Sequence, residues 1–227
     1  MQKDHYSVAI DGPSGAGKST LAKEVAAKLG ITYVDTGAIY RSIGYAAYAR
    51  GLDPKDEAQI RPLLPELTIT MRHGADGLQR MYVNGEDVTD QIRLPQISLY
   101  ASSVSALPCV RSFLLEMQRD LARTQSVIMD GRDIGTVVLP DADVKIYLTA
   151  SAAVRAKRRA LELSQRGTPR PYEEVLAEIN ERDHNDMTRA VAPLRRAEDA
   201  VLVDTSEIGF DEGLALLLKT IQERLEA

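Results

Sequence analysis

The sequence is poor in several features that would assign its class at once. It has a single cysteine, Cys109, in 227 residues, so no intrachain disulfide can form and a cysteine-built zinc site is excluded. A reducing, cytoplasmic setting fits that count. No stretch approaches the ~20 apolar residues of a membrane span, and Met1-Gln2-Lys3-Asp4-His5 leads into a strand-like run without an apolar signal segment. The expectation is a cytoplasmic chain with no membrane partner. Positive charge is not in surplus either: 28 Lys+Arg against 33 Asp+Glu leave a net charge of −5. No global field draws nucleic acid or anionic lipid, so any anion must be bound locally. Internal repeats, low-complexity tracts and long linkers are also lacking, which leaves one domain over residues 1–227.

What is present is an ordinary globular composition, 44% apolar and 27% charged. Among the bases, 20 are Arg and 8 are Lys. The planar guanidinium suits phosphate and carboxylate, although a GC-rich coding bias explains the surplus as readily. Hydrophobic patterning predicts short buried strands at Tyr6 to Ile10, Ile31 to Val34, Val127 to Met129, Val144 to Leu148 and Val201 to Val203. Helical spacing follows the first strand from Leu21 to Leu29 and recurs at Ile39 to Arg50, 109 to 123, 151 to 165, 172 to 188 and 211 to 226. Five strands alternating with helices predict an α/β fold with a parallel sheet covered on both faces. One segment breaks the rhythm. Leu67 to Arg72 and Gln79 to Val83 alternate, Gly74 to Gly77 reads as a turn, and Asn84-Gly85 signals a two-residue hairpin into Glu86 to Val88. A small antiparallel meander inserted in the α/β core is expected.

Gly12-Pro13-Ser14-Gly15-Ala16-Gly17-Lys18-Ser19 matches G-x-x-x-x-G-K-[ST] between the first strand and the first helix, where a phosphate-binding loop belongs. Its backbone N–H groups and the helix N-terminus would hold phosphates, with Thr20 next in line. Lys18 is expected to bridge the β- and γ-phosphates, and Ser19 to ligate Mg²⁺. Val127-Ile128-Met129-Asp130 is an apolar strand ending in a carboxylate, which makes Asp130 the second Mg²⁺ candidate. Arg132 and Asp133 follow at the carboxyl end of that strand, where parallel sheets bind ligands. Nine Arg fall between Arg155 and Arg196. Arg182, Asp186 and Arg189, at i, i+4 and i+7, are expected on one helical face, where spacing alone leaves a solvated ion-pair face equally open. Arg155, Arg158 and Arg159 lead into the polar turn Gln165 to Pro169, as a flap over phosphates or an exposed helical hairpin would. Together these features mean nucleoside triphosphate binding. No N-K-x-D element marks a GTPase, whereas Arg41, Arg132 and Arg189 could form the second anion site of a small-acceptor kinase. A P-loop module that binds nucleotide without turnover remains the alternative from another class.

With Asp35-Thr36-Gly37-Ala38-Ile39-Tyr40-Arg41, Val83 to Thr89, Ile92-Arg93, Asp130-Gly131-Arg132-Asp133-Ile134-Gly135-Thr136 and Arg182 through Leu194, the chain resembles bacterial cytidylate kinases over nearly its whole length. The resemblance implies the P-loop nucleoside monophosphate kinase fold. Its core would be 1–35, 105–150 and 190–227, its monophosphate-binding region with the β insert 36–104, and its helical lid with flanking helices 151–189. It also implies ATP and Mg²⁺, transfer of the γ-phosphoryl group to CMP and dCMP, and a monomer; UMP is the runner-up acceptor. Carried over residue by residue, Thr36, Arg41, Arg132 and Arg189 hold the acceptor phosphate. Ser102, Arg111 and Asp133 read cytosine, Arg182 and Asp186 touch the ribose, and Arg155, Arg158 and Arg159 belong to the lid over ATP. Lys18, Arg41, Arg132 and Arg189 are the catalytic set. The run from Ala101 to Arg111 departs from the family's pattern in one place, where Ser105 replaces Ala.

Overall fold

A computed structural model describes residues 5–74 and 78–226. In chain order its elements are β1 (Ser7–Asp11), α1 (Lys18–Leu29), β2 (Thr32–Asp35), α2 (Thr36–Ala49), α3 (Glu57–Leu63), β3 (Ile69–His73), β4 (Gln79–Val83) and β5 (Glu86–Asp87). Then come α4 (Pro95–Val104), α5 (Pro108–Thr124), β6 (Val127–Gly131), a π-type turn (Ile134–Val138), β7 (Val144–Thr149), α6 (Ala152–Gln165), α7 (Tyr172–Thr188), β8 (Val201–Asp204) and α8 (Phe210–Leu225). By their contacts they fall into two units, Met1–Tyr33 with Thr124–Ala227, and Val34–Arg123.

The first unit carries the expected parallel sheet, in the order β2-β6-β1-β7-β8. Central β1 runs parallel to both neighbours, with Ala9 opposite Met129 on one side and Lys145 on the other. Val8, Ile10, Val127, Ile128 and Met129 are wholly buried, because a parallel sheet covered by helices has no wet face and selects continuous apolar runs. From α1, Leu21, Val25 and Ala26, and from α8, Leu214, Leu217 and Ile221, join Val8, Ile10, Ile128 and Ile146 in one core. α6 and α7 pack on each other through Ala156, Val175 and Ile179. Between β1 and α1 the chain needs Gly12, whose φ is 152° and where an added Cβ would lie 1.9 Å from the Leu148 carbonyl oxygen.

Boundaries differ from expectation at a few functional points. β1 starts at Ser7 and includes Asp11, and β6 runs on to Gly131, so Asp130 lies inside the strand rather than ending it. α7 ends at Thr188, and Arg189 is its cap, with extended backbone at ψ 142°. Of the face read from Arg182, Asp186 and Arg189, the first two therefore lie within α7 and Arg189 lies at its end.

The second unit contains the antiparallel insert, in the order β3-β4-β5. Asn84 (φ 51°) and Gly85 (φ 85°) make the left-handed two-residue turn that the Asn-Gly pair demands, and Val83 pairs with Glu86 across it. The other turn, read at Gly74 to Gly77, falls on residues 75–77, outside the described residues. α3 and α4 are elements that the sequence reading lacks. α3 is only 7 residues long and contains Pro62, whereas α4 buries Ile97, Ala101 and Val104 at i, i+4 and i+7, a helical period that patterning could have found. α2 packs tightly on α4, since a Cβ added to Gly44 would lie 2.9 Å from the Ala101 nitrogen.

Candidate active site

In the first unit, the loop between β1 and α1 opens a helix whose N-cap, Gly17, contributes no side-chain hydrogen bond. The first-turn N–H groups thus point at whatever anion enters, and the helix dipole adds to their pull. Gly12, Pro13 and Ala16 are buried, and Gly15 and Thr20 are exposed. Lys18, 5% exposed, donates from Nζ to the carbonyl oxygens of Gly12 and Pro13, both at 2.8 Å. Burial, then the nearby Arg132 charge, pull its pKa down to about 7, against the opposing carboxylates of Asp130, Asp11 and Asp186. A phosphate beside it restores the balance toward the ammonium form.

Ser19 Oγ donates to Asp130 Oδ2 at 2.8 Å, and Tyr33 donates its phenolic proton to Asp130 Oδ1 at 2.8 Å. The parallel strands β1 and β6 end side by side, with Ile10 opposite Asp130, which puts the first helical turn and this carboxylate together. A hydroxyl and a carboxylate are hard oxygen ligands, a donor set that fits Mg²⁺. No cluster of three or more His, Cys, Asp or Glu able to hold a metal occurs among the described residues. Mg²⁺ characteristically uses few protein ligands and completes its shell with substrate phosphates and water.

Past β6, a charged network forms that helical spacing anticipated only in its contact between Asp186 and Arg189. Asp186 on α7 accepts from Arg132 Nε at 2.7 Å and lies 3.9 Å from Arg189 Nη1, while Arg189 Nη2 is 3.3 Å from Asp133 Oδ1. Burial works against the charge of Arg132, but Asp186 overrides it and raises its pKa. Arg189 is further fixed by donation from Nε to the Ala192 carbonyl at 2.8 Å, where Ala192 takes a left-handed φ of 49°. Arg182 stands apart from the pairing. It has no ion pair among the described residues, and burial and then the Arg132 charge lower its pKa.

The arginines expected over ATP have protein partners. Arg155 is 4% exposed; it grips both carboxylate oxygens of Asp183, donates from Nε to the Ala150 carbonyl at 2.8 Å, and from Nη1 to the Ser14 carbonyl at 2.9 Å. It is thus a strut from α6 to the phosphate loop. Arg158 donates to the Thr205 carbonyl at 2.6 Å, and Arg159 pairs with the exposed Glu162 at 2.7 Å.

In the second unit, Asp35 caps α2 by accepting from Ala38 N at 2.9 Å and holds Arg41 Nη2 at 2.9 Å with its other oxygen. Gly37 leaves room for that pair, since a Cβ there would lie 3.1 Å from Asp35 Oδ1. Gln79, from β4, grips the Asp35 backbone, accepting from its N–H at 2.8 Å and donating to its carbonyl at 3.3 Å. Arg41 Nε is buried without a hydrogen-bond partner among the described residues. Thr36 is 3% exposed. Arg111 lies over the Tyr40 ring at 5.5 Å and donates to the carbonyl of Ser105 at 3.0 Å. The exposed Ser102 accepts at its own carbonyl from Ser105 Oγ at 2.8 Å, so the serine that replaces Ala closes the end of α4.

Asp11 was missed by sequence reading. It is 4% exposed and accepts from Ile134 N at 2.8 Å and Gly135 N at 2.7 Å; burial, its largest influence, pushes its pKa up to about 6. The signal was available. Val8-Ala9-Ile10-Asp11 repeats the pattern of Val127-Ile128-Met129-Asp130, an apolar strand running into an aspartate.

Comparison with known proteins agrees with this set of motifs. The family model described as cytidylate kinase matches residues 8–223. A cytidylate kinase of Caldicellulosiruptor bescii is 49% identical over 213 residues, covering 94% of each chain. One of Lactiplantibacillus plantarum is 47% identical over 224 residues, 99% of this chain and 98% of that one. Among solved structures, an uncharacterized protein from Eubacterium ventriosum superposes with a TM-score of 0.53 at 12% identity, over 97% of this chain and 99% of that one, a likeness of fold alone. Full-length identity near one half, on a chain whose phosphate loop and arginine–aspartate network have the geometry just described, leads to one conclusion: this protein is a member of the cytidylate kinase family.

Proposed function

We propose that this protein transfers the γ-phosphoryl group of ATP to CMP, and to dCMP, giving CDP or dCDP and ADP. The observation that carries the proposal is the network of Arg132, Asp186, Arg189 and Asp133 in the unit that holds Lys18. It supplies guanidiniums for a second phosphate beside a loop built for the first. Phosphoryl transfer asks the protein for in-line placement and charge neutralisation, and needs no covalent nucleophile.

In this reading the loop N–H groups from Gly12 to Thr20 hold the donor phosphates, and Lys18 leaves the Gly12 and Pro13 carbonyls for the transferring phosphoryl oxygens. Arg132 and Arg189, prealigned by Asp186, bind the acceptor phosphate together with Arg41 and Thr36. Asp133, Arg111 and Ser102 read the base: a carboxylate accepts from the cytosine amine, and uracil leaves that buried acceptor unsatisfied. Arg182, which has no ion pair among the described residues, and Asp186 contact the ribose. Arg155 acts on the donor through the Ser14 carbonyl, whereas Arg158 leaves the buried Thr205 and Arg159 its exposed partner Glu162 for ATP phosphates. Ser19 and Asp130 would hold Mg²⁺, which when bound neutralises phosphate charge. The enzyme is read as a cytoplasmic monomer that needs neither nucleic acid nor membrane; no single helix among the described residues is long and apolar enough to cross one.

The test is ADP release from ATP and Mg²⁺ with a panel of nucleoside monophosphates. Turnover with CMP and dCMP well above UMP, AMP and GMP is expected. Equal rates on CMP and UMP would remove the base-specific part, and no turnover with any acceptor would favour a binding module.

A further inference from the structure

Asp133 precedes the Ile134–Val138 turn and should, by residue type, cap it. Its side chain makes no capping hydrogen bond, and its backbone (φ −146°, ψ 26°) is not the extended form of an ordinary cap. Two aspartates elsewhere in the chain behave as expected: Asp35 (ψ 94°) and Asp56 (ψ 100°) cap α2 and α3 with their own carboxylates. The N–H groups that Asp133 leaves uncapped are those of Ile134 and Gly135, and both go to Asp11, one on each oxygen, at 2.8 and 2.7 Å. Asp11 reaches them because it sits opposite Gly131 in the β1–β6 pairing, at the point where β6 ends.

We infer that Asp11 is a positioning residue that caps the Ile134–Val138 turn from the neighbouring strand, and so leaves the Asp133 carboxylate to Arg189 and the acceptor nucleotide. The role assigned to Asp133 rests on the function proposed above. Both oxygens of Asp11 are committed to N–H donors, which an amide cannot match, since its NH₂ would face a donor. Gly135 lies close against the carboxylate: a Cβ there would be in van der Waals contact with Asp11 Oδ2 at 3.4 Å. The same carboxylate joins the phosphate loop, which begins at the next residue, to the segment bearing Arg132 and Asp133.

Two readouts separate this inference from the proposed function. Amide exchange in Asp11→Asn against the unsubstituted protein reads the cap directly, whatever the substrate, and Ile134 and Gly135 should exchange about tenfold faster or more. With ATP and CMP, Asp11→Asn should raise the KM for CMP about tenfold while the KM for ATP stays within about twofold. Because Asp11 acts through Asp133, the double variant Asp11→Asn/Asp133→Asn should be no worse for CMP than Asp133→Asn alone. Unchanged exchange at 134 and 135, additive losses in the double variant, or equal rises in both KM values would overturn the inference. If Asp11→Asn does not fold, Asp11→Glu serves instead, its extra methylene displacing the carboxylate from the two N–H groups, with a rise of about threefold in the KM for CMP and faster exchange at Ile134 expected. No change in either overturns it.

Discussion

Two populations of arginine occupy the same protein and do different work. Arg132 and Arg189, with side chains 22% and 8% exposed, share carboxylates with Asp186 and Asp133 at the carboxyl end of β6. Arg123 and Arg159, at 58% and 44%, pair with glutamates and aspartates one helical turn away. A contact of 2.7 Å occurs in both sets, so a short distance does not distinguish them. Burial does. A partly buried guanidinium that has lost water depends on its carboxylate, and removal of the partner strands the charge. An exposed one exchanges its partner for water at almost no cost.

The contrast is broken most forcefully at Lys18, the buried cation proposed to meet the transferring phosphoryl. Lys18→Ala should lower kcat by roughly 10²–10³ with a smaller change in the KM for CMP, as loss of a group acting on transition-state charge does. Near-normal kcat in steady-state assays would exclude Lys18 from the mechanism. Next is Asp186→Asn, which leaves Arg132 and Arg189 without their shared anion. A stability loss of about 2–3 kcal/mol in denaturant unfolding and a raised KM for CMP are expected. A variant as stable as its parent would place this pair with the surface set.

The pH profile sharpens the comparison without a substitution. In the proposed role Lys18 must be cationic to meet the phosphates, and its pKa is lowered to about 7. The proton is therefore lost as pH rises, and kcat/KM for ATP should fall through the region near 7. Bound phosphates raise the same pKa, so the fall in kcat should come at higher pH. Coincident limbs in the two profiles would detach them from Lys18. Smallest of all, Arg159→Ala should change stability by less than about 0.5 kcal/mol and the KM for CMP not at all, with any effect confined to ATP. A loss on CMP comparable to that of Asp186→Asn would erase the distinction between the two populations.

How much was legible follows from how local each signal is. The phosphate loop is contiguous, and its glycines mark it from Gly12 to Gly17. Asn84-Gly85 encodes its own turn. Strands such as Val127 to Met129 declare themselves by burial on both faces. The charged network is not local: Arg132 finds Asp186 from 54 residues away, and Arg155 spends its donors on Ala150, Ser14 and Asp183. Helical spacing placed Arg182 and Asp186 together on α7 and brought Asp186 near Arg189, but it weighed only neighbours on one helix and so left out Arg132 and Asp133.

The sequence by itself determined the chemistry on offer: a loop that binds phosphate, a strand aspartate beside it, an excess of arginine in a chain of net negative charge, and an Asn-Gly hairpin inserted in an α/β pattern. Only the tertiary structure decided which charges share a partner. Asp186 serves Arg132 and Arg189, Gln79 grips the backbone of Asp35, and Asp11 caps a turn 123 residues away. The physical reason is that a fold-level partner is chosen by burial. Once strands β1 and β6 lie side by side, groups that emerge at their ends leave water together and must satisfy one another, and nothing in the spacing along the chain records that proximity.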